Sequence, residues 1–205
     1  MYLYPKWLRL WHLINAIAVI ILIITGLKIR YSGDGTQGAG ETSSGAVTWH
    51  NISAVILTIG YLSFVIGNIM TENGKHYRIR RKDFMKNIVK QFRYYSYGMF
   101  RNEKPPFPVT GEQKFNPLQK LSYVLAMYVA MPLLIISGTG MLSPDSAFGG
   151  IFGASSQVIV TVIHVTMGFI ISLFLLIHIY TCTLGSTPTS LFRSMLSGYH
   201  ESEEE

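Results

Sequence analysis

The stretch HVTMGFIISLFLLIH, residues 164–178, decides the fold. A histidine stands at each end of a run that is otherwise almost wholly apolar. Fourteen residues of α-helix turn through about 1400°, so the second imidazole returns to within ~40° of the first. The rise over the same distance is roughly 21 Å, against a bilayer hydrocarbon core ~30 Å thick. A helix spanning that core would carry two imidazoles on one stripe, near its opposite faces. Ionisable groups are costly in hydrocarbon and mark functional positions there.

The rest of the chain supports a membrane setting. It has 205 residues, 49% hydrophobic and 14% charged, the charge well below the ~25% of soluble domains. Apolar residues clump into four runs long enough to span a bilayer, near residues 9–29, 47–70, 118–142 and 157–184. The first run is followed by TGLKIRY, without a small-residue cleavage site, and reads as a retained span rather than a signal peptide. The expectation is an all-α, integral membrane four-helix bundle forming a single domain over 1–205. The single cysteine, Cys182, closes no intrachain disulfide and holds no iron–sulfur cluster, which needs about four thiolates. It reads as a packing residue. No C-x-x-C-H is present, which excludes covalent haem of the c type.

Charge orients the spans. Twelve of the 17 Lys and Arg residues lie between Lys75 and Lys120. The connections YSGDGTQGAGETSSGAVT and SPDSAFGGIFGASSQ hold none and read as flexible outer turns. The positive-inside rule puts the connector 71–117 in the cytoplasm, and both termini with it. Within that connector, KDFMKNIVKQFRYYSYGMF places Phe84, Ile88, Phe92 and Tyr95 at helical spacing, with Lys86, Lys90 and Arg93 elsewhere. This predicts an amphipathic helix on the inner leaflet. The basic balance points to membrane lipid rather than nucleic acid. Gly26, Gly60, Gly67, Gly138, Gly140 and Gly168 would let helices approach closely or leave room for a flat macrocycle. Pro132 predicts a kink in the third span.

Six histidines occur. His76 and His200 fall in the connector and the tail and read as surface residues. His12, His50, His164 and His178 fall within the predicted spans. With the alternating direction of the spans, His12 and His178 share the inner depth, and His50 and His164 the outer. Two imidazoles on facing helices are what bis-histidine haem ligation needs. Bare zinc or copper would want three or four ligands at one depth. The expected cofactors are therefore two haems b, ligated by the pairs His12/His178 and His50/His164.

This pattern resembles the di-haem cytochrome b membrane subunits of formate dehydrogenase (gamma), thiosulfate reductase and nickel–iron hydrogenase. The resemblance is carried by the four histidines and by LRLWHLINAIAVIILIITG, WHNISAV, FRYYSYG, KFNPLQKLSY and TPTSLFRSMLSGYHE. It implies a prokaryotic inner-membrane anchor that passes electrons between a partner oxidoreductase on the outer, periplasmic side and the quinone pool. The partners implied are an iron–sulfur or multihaem subunit and a catalytic subunit, so that the chain is not an enzyme on its own. It also implies a quinone site (menaquinone or ubiquinone) at the cytoplasmic end, using Asn116, Gln119 and His178. Pro117 and Leu118 depart from the small residues frequent there, and Asn116 reads equally as a helix cap. Haem propionates want cations. Arg9, one turn before His12, would serve the inner haem, and Lys28 or Arg30 the outer one, unless these side chains simply snorkel. The competing reading is a transporter or proton-relay protein using the histidines. It would need span carboxylates, which spans two to four lack.

Overall fold

The computed structural model describes residues 1–31, 39–79, 83–142 and 156–200. Every regular element in them is helical, apart from one isolated antiparallel bridge between Tyr2 and Tyr199. The helices are α1 (Lys6–Tyr31), α2 (Ala39–Met70), a 3-10 segment (Glu72–Tyr77), α3 (Phe84–Arg93), α4 (Pro117–Leu125), α5 (Met131–Leu142), α6 (Ser156–Cys182) and α7 (Ser190–Ser197). A π turn, Ala126–Ala130, joins α4 to α5. Four stretches are long and apolar enough to cross a membrane: Lys6–Tyr31, Ser44–Met70, Pro117–Leu142 and Gln157–Cys182. They fall over the four runs read from the sequence. Their exposed side chains include Leu10, Ile24, Ile59, Ile69, Val158, Phe169 and Leu176, as expected of a surface that faces lipid.

The chain divides into two compact units, one from Tyr4 to Gly67, the other Met1–Leu3 with the chain from Asn68 onward. In the first, α1 and α2 run antiparallel and meet through aromatic rings and glycines. The Trp11 indole N–H donates to the Gly60 carbonyl at 2.7 Å, and its ring stacks on the fully buried Phe64 at 4.5 Å. The Trp7 ring lies where a Cβ on Gly67 would be, at 2.8 Å. Bare backbone at Gly67 is thus what admits the Trp7 indole, and bare backbone at Gly60 admits the Asn15 side chain.

In the second unit α5 packs along α6, and α3 lies against α4. Asn116 caps α4: its Oδ1 accepts from the Gln119 N–H at 2.9 Å, and the Gln119 Oε1 accepts from the Asn116 N–H at 3.2 Å. Pro117 follows at the first helical position, where a missing N–H costs nothing. The π turn stands just before Pro132, which has no N–H to offer the carbonyl of Tyr128. The wider turn accommodates that loss. The two ends of the described chain are tied together. Leu3 N–H donates to Gly198 O at 2.9 Å, and His200 N–H to Met1 O at 2.8 Å.

Three expectations change. Part of the first outer connection, from Ala39, is helix, the opening turns of α2. The second connection lies almost wholly outside the described residues. On α3 and the π-helical segment Tyr94–Gly98 that continues it, the inward face is Phe84, Ile88, Gln91 and Tyr95, whereas Phe92 is exposed with Met85 and Val89. At about 100° per residue, Phe92 stands ~80° from Phe84, but Gln91 only ~20°. His76 is not a surface residue: it is 5% exposed.

Candidate functional site

His12 on α1 and His50 on α2 belong to the first unit, His164 and His178 on α6 to the second. All four are half-buried. Each of three has a hydroxyl from a neighbouring helix at its Nδ1.

Thr25 of α1 places Oγ1 2.9 Å from Nδ1 of His50. The same hydroxyl donates its single hydrogen to the Ile21 carbonyl at 2.7 Å. With its hydrogen so engaged, the oxygen accepts from the ring in the tautomer that carries the imidazole hydrogen on Nδ1 and the lone pair on Nε2. Ser137 of α5 repeats the arrangement. Its Oγ donates to the Leu133 carbonyl at 2.6 Å and lies 3.2 Å from Nδ1 of His164. The Leu134 carbonyl, also 3.2 Å from that nitrogen, can only accept. Both imidazoles are thus held in the tautomer that offers Nε2 to a metal, the usual outer-shell device of a ligating histidine.

A glycine follows each hydroxyl residue. A Cβ on Gly26 would stand 3.4 Å from Cε1 of His50, and one on Gly138 3.1 Å from Cε1 of His164. The dipeptides Thr25-Gly26 and Ser137-Gly138 therefore do the same two things: orient an imidazole and clear space beside it. Sequence reading passed over both hydroxyls, although it noted both glycines as sites of close approach.

His178 has a different partner. The Tyr123 hydroxyl of α4 is 3.2 Å from its Nδ1, and Phe174, one turn before, stacks on its ring at 5.8 Å. Cys182, one turn on, has Sγ 3.9 Å from Nε2. His12 lies one turn after Arg9 on α1, whose Nε is buried without a hydrogen-bond partner among the described residues. Such a guanidinium suits an anionic group supplied from outside the chain, such as a propionate. Lys28 and Arg30 occupy the last turn of α1, where cations also favour the helix dipole.

Asn116 and Gln119 are brought together, but chiefly by bonds to each other. The Asn116 amide in addition donates to the Tyr95 hydroxyl at 2.8 Å. Among the described residues no three His, Cys, Asp or Glu side chains converge as a metal cluster would require. Single imidazoles whose Nδ1 is tied to a neighbouring helix are a donor set that fits axial ligation of haem.

Comparison with known proteins gives the same picture. The family model described as "Prokaryotic cytochrome b561" matches residues 3–198. The chain is 40% identical over 200 residues to "Putative cytochrome YdhU" of Escherichia coli (strain K12), covering 97% of this chain and 74% of that protein. It is 26% identical to the "Probable Ni/Fe-hydrogenase B-type cytochrome subunit" of Cupriavidus necator, covering 97% and 86% of the two chains. The like-named protein of Rhodobacter capsulatus is 25% identical, covering 97% and 80%. No solved structure gives a significant match. With nearly its whole length matched, the chain belongs to the prokaryotic cytochrome b561 family.

Proposed function

We propose that this chain is the membrane-anchoring, di-haem electron-transfer subunit of a larger oxidoreductase, exchanging electrons between a periplasmic partner and the quinone pool. Family membership and four span-length helices make it a multi-pass prokaryotic membrane cytochrome that holds haem b and carries electrons. The observation that supports the rest is the hydroxyl contact to Nδ1 at both His50 and His164, the outer-shell arrangement of a ligating histidine.

In the proposed arrangement His50 pairs with His164 and His12 with His178, each pair gripping one haem b, a pairing supported by the positions of these residues along the predicted spans. Haem supplies a one-electron iron couple. The chain's own residues fix the imidazole tautomers, clear space at Gly26 and Gly138, and offer Arg9, with Lys28 or Arg30, to the propionates. The relatives named as hydrogenase B-type cytochrome subunits support a catalytic oxidoreductase partner, joined through an iron–sulfur or multihaem subunit. The basic connector supports an inner-membrane location with that connector and both termini in the cytoplasm. Met85, Val89 and Phe92 on α3 are then the face that meets lipid.

Quinone would react at the His178 end, bordered by Asn116 and Gln119. Since Tyr95 holds the Asn116 amide, the Gln119 amide is the better placed donor. The test is reduction of the purified protein first by a short-chain quinol and then by dithionite. A b-type α band appearing with both reductants is the expected result. No haem absorbance would contradict the reading and favour a proton-relay or transport role.

A further inference from the structure

A second polar cluster lies in the unit that carries His178, and the haem reading uses none of it. Asn68 donates to the Tyr128 hydroxyl at 3.1 Å, and the Asn73 amide donates to Asn68 Oδ1 at 2.7 Å. Lys114 Nζ donates to Asn73 Oδ1 at 3.2 Å. Gly74 brings the 3-10 segment so close that a Cβ would stand 2.5 Å from the Asn68 carbonyl oxygen. This fold-back buries His76 beside the network.

His76 is the unusual member. It is 5% exposed, and its Nδ1 is buried without a hydrogen-bond partner. Its other ring nitrogen donates to the Glu112 backbone. Burial, then the charges of Lys114, Lys75 and Lys120, push its pKa down to about 4. The ring is therefore neutral at pH 7, with its hydrogen on Nε2 and a bare lone pair on Nδ1. A buried acceptor that meets no donor is costly and calls for a ligand that brings one. Burial likewise lowers the pKa of Lys114, with Lys75 adding to it, so an electronegative partner would relieve that side chain as well. The other ionisable groups around the cluster are Glu72, paired with Lys75 at 2.6 Å, and the phenols Tyr77 and Tyr128.

Aromatic rings lead away from this cluster. Tyr77 lies 5.5 Å from Phe115, Phe115 4.7 Å from Tyr123, and Tyr123 5.9 Å from His178, centroid to centroid. The cluster so combines an orphaned acceptor, a cation, aromatic walls and a ring path to a haem-ligand candidate. We propose that it receives the head group of the quinone: a quinol hydroxyl donates to Nδ1 of His76, and the oxygen accepts from Nζ of Lys114 once it has lost its proton. This rests on the quinone reading above and names the residues that take the oxygen.

One quinol gives a quinone, two electrons and two protons. The proton hydrogen-bonded to His76 passes to Nδ1 and on to water, and the second leaves to water directly. The electrons pass singly to the two ferric haems b of the proposed function. Losing the first electron makes the remaining hydroxyl far more acidic, so a weak base suffices. Quinone reduction is the same step reversed.

The test compares haem-loaded wild-type protein with His76→Gln and Lys114→Met. Haem content and the dithionite-reduced spectrum should be unchanged in both. The rate of haem reduction by a short-chain quinol should fall at least tenfold in His76→Gln, with its pH dependence flattened. The affinity for a hydroxyquinoline N-oxide, read by quenching of the inhibitor's fluorescence, should fall at least tenfold in Lys114→Met. Wild-type rate and affinity in both variants would overturn the assignment. If His76→Gln does not assemble, inhibitor binding to Lys114→Met decides alone. A wild-type protein reduced by dithionite, but neither reduced by quinol nor binding the inhibitor, would sink the quinone reading itself.

Discussion

At the residue scale, two hydroxyls and two glycines stand against His50 and His164. Thr25→Val keeps the shape of the side chain and removes the acceptor for His50 Nδ1–H. Ser137→Ala does the same for His164. Loss of such an outer-shell partner costs about 10–100-fold in affinity for the bound group. Each variant should therefore purify with less haem, and with a shifted midpoint potential for what remains. Full haem content with an unmoved potential would show these hydroxyls to be incidental. Gly138→Ala should disturb haem content more than Gly26→Ala, because the added Cβ would meet the imidazole at 3.1 Å rather than 3.4 Å. The histidines were legible in the sequence because imidazole is rare in an apolar run. The hydroxyls were not. Thr58, Ser63, Thr139, Thr161 and Ser172 also bond a carbonyl one turn back, so nothing in the sequence marks out Thr25 or Ser137. His76 was misread for a related reason: a polar, basic segment looks solvated until Gly74 folds it under Asn68. Its pKa, depressed to about 4, lies below the unfolded value of ~6.5. The stability tied to neutral His76 is present above pH ~6.5 and is lost as pH falls towards 4. The thermal midpoint should drop between pH 7 and 4.5, and His76→Gln should flatten that drop. An identical drop in the variant would remove His76 as its cause.

At the scale of elements, α1 and α2 adhere where indoles meet bare backbone. Gly67→Ala would place a Cβ 2.8 Å from the rigid Trp7 ring, and overpacking of this kind costs about 1–3 kcal/mol. The detergent-solubilised variant should unfold at a lower temperature than wild type, and an unchanged midpoint would mean that this contact does not hold the pair. The spans themselves were plain in the sequence, since some 20 apolar residues in a row leave few alternatives. The faces of α3 were not. Reading Phe84, Ile88, Phe92 and Tyr95 as one apolar face on the leaflet followed hydrophobicity, whereas two apolar stripes lie side by side and only the one with Phe92 is exposed. Gln91 is buried at 3% exposure, while Phe92 is 61% exposed. A polar residue on the inward stripe becomes intelligible only once α4 and the Tyr95–Asn116 bond are seen. The cap at Asn116 is the converse case: the sequence offered Asn116 as a helix cap, and it is one, in a capping box with Gln119.

At the scale of the whole molecule, the two described ends are paired through Leu3–Gly198 and Met1–His200, so they share one side of any membrane the chain crosses. The proposed topology puts that side in the cytoplasm. A fluorescent protein fused to the C-terminus should glow, and alkaline phosphatase at the same point should be inactive; the reverse pattern would invert the topology. The largest claim is that four histidines from three helices hold two haems b. The most direct test is the haem-to-protein ratio of the purified chain, measured as the pyridine haemochrome, in wild type and in His164→Ala. The predicted ratio is two in the wild type, falling to about one in the variant with the surviving haem still b-type. A wild-type ratio of one or zero, or a ratio unmoved by His164→Ala, would contradict it.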